Sequence, residues 1–279
     1  MRLVDRVRSA QAVAADRYLP FSVEGKVVGR VRRDLAEHLH GFAEVFAPHA
    51  HAWTFATGLD TPAERSEAMA RVAQTLAERG LLTPWRNETY DIVHAFGQPP
   101  LFAVERAAVR FFGFDSFAVH INGVVGSAAG QTMWIARRSD QKAIDPGMHD
   151  NLVGGGLASG LSVRTTVTKE SFEEAGIAPA LANTARAAGA IRVAREVPEG
   201  LHSQVMFVYD LALRDDFVPV NQDGEVADFR RLAIADVVAE MEAGAAYTAD
   251  AALVIVHFLV RHGHVSADEA PELVTAPFL

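Results

Sequence analysis

The sequence predicts a mixed α/β protein in two parts. A smaller, helix-rich α+β domain occupies residues 1–113 and a mixed α/β domain occupies residues 114–279. Three observations predict this. Helix signals dominate the first hundred residues; strand-like runs become dense only after Phe111; and helical stretches then interrupt those runs. With 279 residues, 49% of them hydrophobic, the chain can bury a sizeable core in one large domain or two ordinary ones.

The elements follow in order. Leu3, Val7, Ala10 and Ala14 recur at helical spacing, so the arginine-rich start reads as an amphipathic helix docked on a core. It lacks the apolar centre of a secretory signal. FSVEGKVVGRV (21–31) reads as a hairpin about Glu24-Gly25. Thr61, with Pro62 in the first turn and Glu64 three residues on, opens a helix that stops at Gly80. Beyond Gly113, FAVHINGVVG, TMWIARRS, AIRVAREV and SQVMFVYDLAL are β-branched or aromatic runs that read as strands. Helices are expected after Gly160, over Ile234–Met241, and from near Thr248 through ALVIVHFLV.

Composition removes several functions. A net charge of −9 argues against a sequence-independent grip on nucleic acid. The absence of cysteine excludes disulfides and thiolate chemistry, and fits a reducing cytoplasm, the expected location. The apolar run from Ala251 to Val260 is about half of a membrane span. No nucleic-acid or membrane partner is expected. An acidic protein that handles phosphate needs local arginines or a bound cation.

The stretch GGGLASGLSVRTTVTKESFEEAGI (154–177) carries the chemistry. Gly155 and Gly160 have P-loop spacing, but Leu161 stands where the phosphate-binding lysine must be. A nucleophile elbow fails as well, because Ala158 takes the serine position. On a helix, Glu170, Glu173 and Glu174 share one stripe, where they repel each other unless a hard divalent cation sits among them. From spacing alone, a solvated acidic face remains the alternative.

The stretch resembles the Nudix box, G-x5-E-x7-R-E-U-x-E-E-x-G-U, with Gly155 as the opening glycine. Glu170, Glu173 and Glu174 fall on its metal-binding glutamates, while Lys169 replaces arginine, Leu161 the first glutamate and Ser171 the apolar residue. A wider resemblance adds PWRNETYDI (84–92), ERAA (105–108), VHING (119–123), MWIARRS (133–139), Lys142 and DNLVGGG (150–156). Together they resemble the Nudix branch with an N-terminal DUF4743-type domain, related to the Nudix part of fungal thiamine pyrophosphokinase fusions.

The resemblance implies an α/β/α sandwich with a mixed sheet. It further implies hydrolysis of a P–O–P link, with Mg²⁺ or Mn²⁺ held by Glu170, Glu173, Glu174 and the Gly155 carbonyl. Glu173, Glu174 and Glu225 are the expected catalytic residues, with Asp228 behind Glu225. Thiamine diphosphate or an oxidised analogue is the substrate implied. A nucleoside diphosphate conjugate such as ADP-ribose is the alternative, and a non-catalytic diphosphate-binding module a third reading. Substrate-binding candidates are Trp85 and Arg86 (a ring surface and a phosphate contact), His120 and Asn122 (in the VHING strand) and Arg138. Core packing competes for Trp85 and Tyr90, and His120 and Asn122 can instead satisfy each other. Arg137 and Arg138 point to opposite faces of a strand, so only one of them meets the site. A homodimer contact is a competing role for the N-terminal domain.

Overall fold

The computed structural model describes residues 2–49, 51–82, 84–127 and 130–274. In the N-terminal part, β1 (Tyr18–Val23) and β2 (Lys26–Arg32) form the expected hairpin. Glu24 and Gly25 take φ of 51° and 76°, the left-handed backbone that a two-residue hairpin turn demands. This part holds more strand than its sequence suggests. After the single-turn helix α2 (Arg33–Ala36), β3 (Phe46–His49) and β4 (Ala52–Phe55) complete a four-stranded sheet of order β2-β1-β4-β3. Helix α3 (Pro62–Glu78) starts at the predicted capping box of Thr61 and Glu64. A further strand pair, β5 (Thr89–Ile92) and β6 (Phe102–Glu105), leads into α4 (Arg106–Phe112). The short strands are stabilised from a distance: Phe21 makes edge contacts with Phe46, Phe55, Phe112 and Phe114 at 5.4–5.9 Å between centroids.

The C-terminal part is built on β7 (Asp115–Val125), β8 (Thr132–Arg138), β9 (His149–Asp150), β10 (Val153–Gly156), β11 (Arg186–Val197), β12 (Gly200–Leu213) and β13 (Val226–Ala233). The main order is β11-β12-β7-β8-β13, with β12 parallel to β7 and the other pairs antiparallel. β8 pairs only with Gly123–Val125 of β7, whereas β10 pairs with Ala118–Ile121. The sheet therefore forks, and the polar residues discussed below gather at the fork.

Side chains alternate across the sheet as the pleat requires. Val119, Ile121, Val153 and Leu211 pack under α5 (Val163–Ala175) and the short α6 (Pro179–Ala182). Ile191, Val193, Met206 and Val208 pack on the other face, against α7 (Ile234–Glu242), α8 (Ala249–Arg261) and α9 (Ala270–Val274). The first helix, α1 (Leu3–Ser9), buries Leu3, Val4 and Val7 in this second cluster, so the chain's first turns pack on the C-terminal core. The result is the predicted mixed sheet between helices. Among the described residues, no helix is long and apolar enough to cross a membrane.

Candidate active site

Helix α5 is set by its ends. Ser162 Oγ accepts the Thr165 amide at 3.0 Å, and Gly176 closes the helix in the left-handed conformation. Its buried face is unusually polar, carrying Thr166, Ser171 and Glu174 alongside Val167 and Ala175. Burying a carboxyl without function is costly. Glu174 accepts the Gly154 amide at 2.8 Å, yet burial pushes its carboxyl well above the usual carboxylate range, and the Glu170 charge adds to the shift. Glu170 is raised by burial too. Lys169 spans Glu170 Oε1 at 3.0 Å and Glu173 Oε2 at 2.6 Å. Burial works against its charge, but those bonds outweigh it and hold the ammonium above its ordinary value.

The glycines of β10 are explained by what lies against them. A Cβ on Gly155 would meet Glu170 Cγ at 2.2 Å, and one on Gly156 would meet the Tyr90 hydroxyl at 1.6 Å. Gly154 would approach the His120 ring at 3.0 Å. The strand is thus pressed between the box helix, β7 and the N-terminal domain.

The segment after β12 is fastened to the same helix. Val220 N–H donates to Ala175 O at 3.0 Å and Gln222 N–H to Glu173 O at 2.9 Å, satisfying carbonyls at the end of α5. An Asx turn then follows, with Glu225 N–H donating to Asp223 Oδ1 at 2.8 Å. This brings Asp223 and Glu225 to the cavity that Glu170 and Glu173 line. Glu225 pairs with Lys142, whose ammonium is lowered by burial.

That cavity, of about 280 Å³, lies between the two parts of the chain. Its lining includes the carboxylates Glu170, Glu173, Asp223 and Glu225. It also includes Arg86, Arg106 and Arg110 from the N-terminal part and Arg138 and Lys142 from β8 and the loop after it; Arg106 pairs with Glu88, Arg138 with Asp150 and Lys142 with Glu225 within the same lining. Arg86 makes no ion pair among the described residues; burial and the neighbouring Arg106 work against its charge. Glu105 is buried at 5% exposure and binds the amides of Arg86 (2.9 Å) and Ala107 (3.3 Å), which explains why WRNETY and ERAA occur together.

The structure brings Glu170, Glu173, Gly155, Glu225, Arg86, His120 and Arg138 to one cavity, with Glu174 directly behind Gly154. It places the other candidates elsewhere. Trp85 lies outside the lining, 37% exposed, its indole N–H donating to Asn87 Oδ1 at 2.8 Å, because the neighbouring Arg86 takes the inward direction. Asn122 is fully buried, donating to Asp210 and accepting from Asn151, both at 3.0 Å, and does not line the cavity. Nor do His120 and Asn122 satisfy each other; Asn151 serves both. Asp228 is drawn away by Arg137 at 2.6 Å, and Asp223 takes the place behind Glu225. Of the paired arginines, Arg138 faces the cavity and bonds Asp150 at 3.0 Å.

Sequence reasoning missed Arg106, Arg110, Asp223 and the His202–Asp250 pair. His202 Nε2 lies 3.1 Å from Asp250 Oδ2, and burial works against the Asp250 charge but His202 holds the carboxyl well below its ordinary value. These two sit 48 residues apart, beyond any local pattern.

The donor set suits a hard divalent cation: three carboxylates and the Gly155 carbonyl are all oxygen, and the Lys169 ammonium already bridges two of them. Among the described residues, no three carboxylates converge at coordinating distance, since Lys169 and the Gly154 amide hold their oxygens apart.

A mixed sheet between helices, with this loop and helix at its fork, defines a Nudix fold. Residues 117–252 match the NUDIX domain, and residues 1–116 match DUF4743, described as a domain of unknown function. The chain is 38% identical over 248 residues to Nudix hydrolase 24, chloroplastic, of Arabidopsis thaliana, covering 88% of this chain and 68% of that one. It is 36% identical over 262 residues to Nudix hydrolase 20, chloroplastic, of the same plant, covering 91% and 70%. The crystal structure of DR0079 from Deinococcus radiodurans is similar at 22% identity and a TM-score of 0.46, covering 60% of this chain and 97% of that one. The chain belongs to the Nudix hydrolase family and is a pyrophosphohydrolase.

Proposed function

We propose that the protein cleaves the P–O–P link of a small organic diphosphate, with thiamine diphosphate or an oxidised analogue as the foremost candidate. The observation that carries this reading is one cavity that brings together the box carboxylates Glu170 and Glu173, the glycine strand and the guanidinium groups of Arg86, Arg106 and Arg138. A diphosphate spans such a set of groups when a cation joins it to the carboxylates. Mg²⁺ or Mn²⁺ bound by Glu170, Glu173, Glu174 and the Gly155 carbonyl would neutralise the diphosphate and lower the pKa of water.

The remaining work belongs to side chains. Arg86, Arg106 and Arg138 bind phosphate oxygens and orient the scissile link. Glu225 accepts the proton of the attacking water, and Lys142 holds it in place. The glycines let Glu170, Tyr90 and His120 close on the strand beside the phosphate-binding residues.

The far end of the cavity favours a polar organic group. Gln204 stands opposite Ser116, two residues along β7 from Ala118, which pairs with Gly156. That is about 7 Å from the glycine strand, and His202 lies about 7 Å further along β12. Gln204, Ser116, His202 and Asp250 all line the cavity. They suit a hydrogen-bonding ring better than a hydrocarbon. A nucleoside diphosphate conjugate such as ADP-ribose fits the same description and is the second reading. The test is cleavage of thiamine diphosphate, its oxidised analogues, ADP-ribose and an isoprenyl diphosphate, with Mn²⁺ or Mg²⁺, read as phosphate and monophosphates formed. Turnover of a polar diphosphate supports the proposal; preference for the isoprenyl compound refutes it.

A further inference from the structure

The N-terminal domain meets the glycine loop as closely as it meets the cavity. Ser159 N–H donates to Thr89 O at 2.7 Å, and Gly160 N–H to Asp91 Oδ2 at 3.3 Å. Between these residues, the Tyr90 hydroxyl fills the space where a side chain on Gly156 would stand. β5 therefore lies across the loop from Gly156 to Gly160. Tyr90 is itself fixed: it is 4% exposed, paired with Val104 across the strands, and covered by the Arg106 guanidinium at 5.5 Å from its ring. On the other side of the same strand, Glu174 holds the Gly154 amide and Glu170 packs against Gly155. The loop is clamped between a box helix from one domain and a strand from the other.

We propose that Tyr90 is a positioning residue that presses the glycine strand onto the box helix, so that the Gly155 carbonyl and Glu170 face one divalent cation. The proposal rests on the reading of residues 155–174 as the metal site. Its consequence is that the N-terminal domain is part of the metal centre's support, and does more than select substrate. A loop free to lift from α5 separates its carbonyl from the carboxylates. Supporting contacts of this kind typically change metal affinity by about 10- to 100-fold.

The experiment measures Mn²⁺ binding directly in the full-length protein, from the electron paramagnetic resonance signal of free Mn²⁺. Gly156→Ala drives a methyl group into the Tyr90 hydroxyl, 1.6 Å away, and should weaken binding about 10-fold or more. Tyr90→Ala alone weakens it by opening the clamp. The double variant Tyr90→Ala/Gly156→Ala should bind more tightly than Gly156→Ala, because the methyl now has room. Tyr90→Phe keeps the ring in the core and removes only the oxygen, so Tyr90→Phe/Gly156→Ala should show a smaller rescue if the alanine variant fails to fold. Wild-type-like binding by Gly156→Ala, or no rescue in either double variant, overturns the role of Tyr90. Absence of Mn²⁺ binding by the wild type overturns the metal reading instead.

Discussion

Replacing Glu174 by glutamine should stabilise the metal-free protein while abolishing its activity. The carboxyl is 6% exposed and accepts one backbone amide at 2.8 Å, which a glutamine carbonyl also accepts. Burial raises its native pKa above the ordinary 4.5. The sign follows from proton linkage: the native state holds this proton more tightly than the unfolded state. Its contribution to stability is full below pH 4.5 and is lost as pH rises through the native value. A tenfold difference in proton affinity between the two states is worth about 1.4 kcal/mol, so a difference of roughly a hundredfold, relieved at pH 8, amounts to about 3 kcal/mol. For a protein of this size that is a rise of roughly 5–10 °C in Tm. The assay is thermal unfolding of both proteins in EDTA at pH 5 and pH 8. A gain at pH 8 that shrinks at pH 5 is expected. In Mn²⁺ the wild type should regain stability and the variant should respond less. A variant less stable than wild type at pH 8, or a gain independent of pH, refutes the reasoning.

Glu225→Gln should lower kcat about 100-fold with little change in KM, whereas Asp228→Asn, in an exposed pair with Arg137, should turn over normally; steady-state kinetics on the preferred diphosphate decides between them. Arg86→Ala should raise KM about 10-fold or more, because its guanidinium is half-buried at the cavity without an ion pair among the described residues, while Trp85→Ala should leave KM unchanged. Asn151→Ala strands His120 Nδ1 and Asn122 Oδ1 together and should cost about 2–4 kcal/mol in urea unfolding.

What can be read from sequence is what local chemistry specifies. The Thr61/Glu64 box, the Glu24-Gly25 turn and the box helix rest on residues within a few positions of each other. β3 and β4 are not legible, because a four-residue hairpin such as Phe46–His49 with Ala52–Phe55 carries little pattern of its own and is held by Phe21, which pairs with Trp53 and packs on Phe46 and Phe55. The site shows the same division. Glu170, Glu173 and Glu174 stand in one motif, but the role of Asn122 depends on Asn151 and Asp210, 29 and 88 residues away. Strand geometry makes Arg137 and Arg138 diverge, yet only the pairing of β8 with β9 and β13 decides which faces the cavity. Tyr90, open between stacking and core, is buried and still reaches the glycine strand with its hydroxyl.

The central claim is that water attacks phosphorus in a cation-dependent reaction in this cavity. Turnover of thiamine diphosphate and of ADP-ribose in ¹⁸O-water, with and without Mn²⁺, followed by mass spectrometry of the products, tests it most directly. The account predicts one ¹⁸O per cleavage in a phosphate-bearing product, with none formed in EDTA or by Glu174→Gln. Label in a carbon-bound hydroxyl with none in a phosphate, or undiminished cleavage in EDTA, would contradict it.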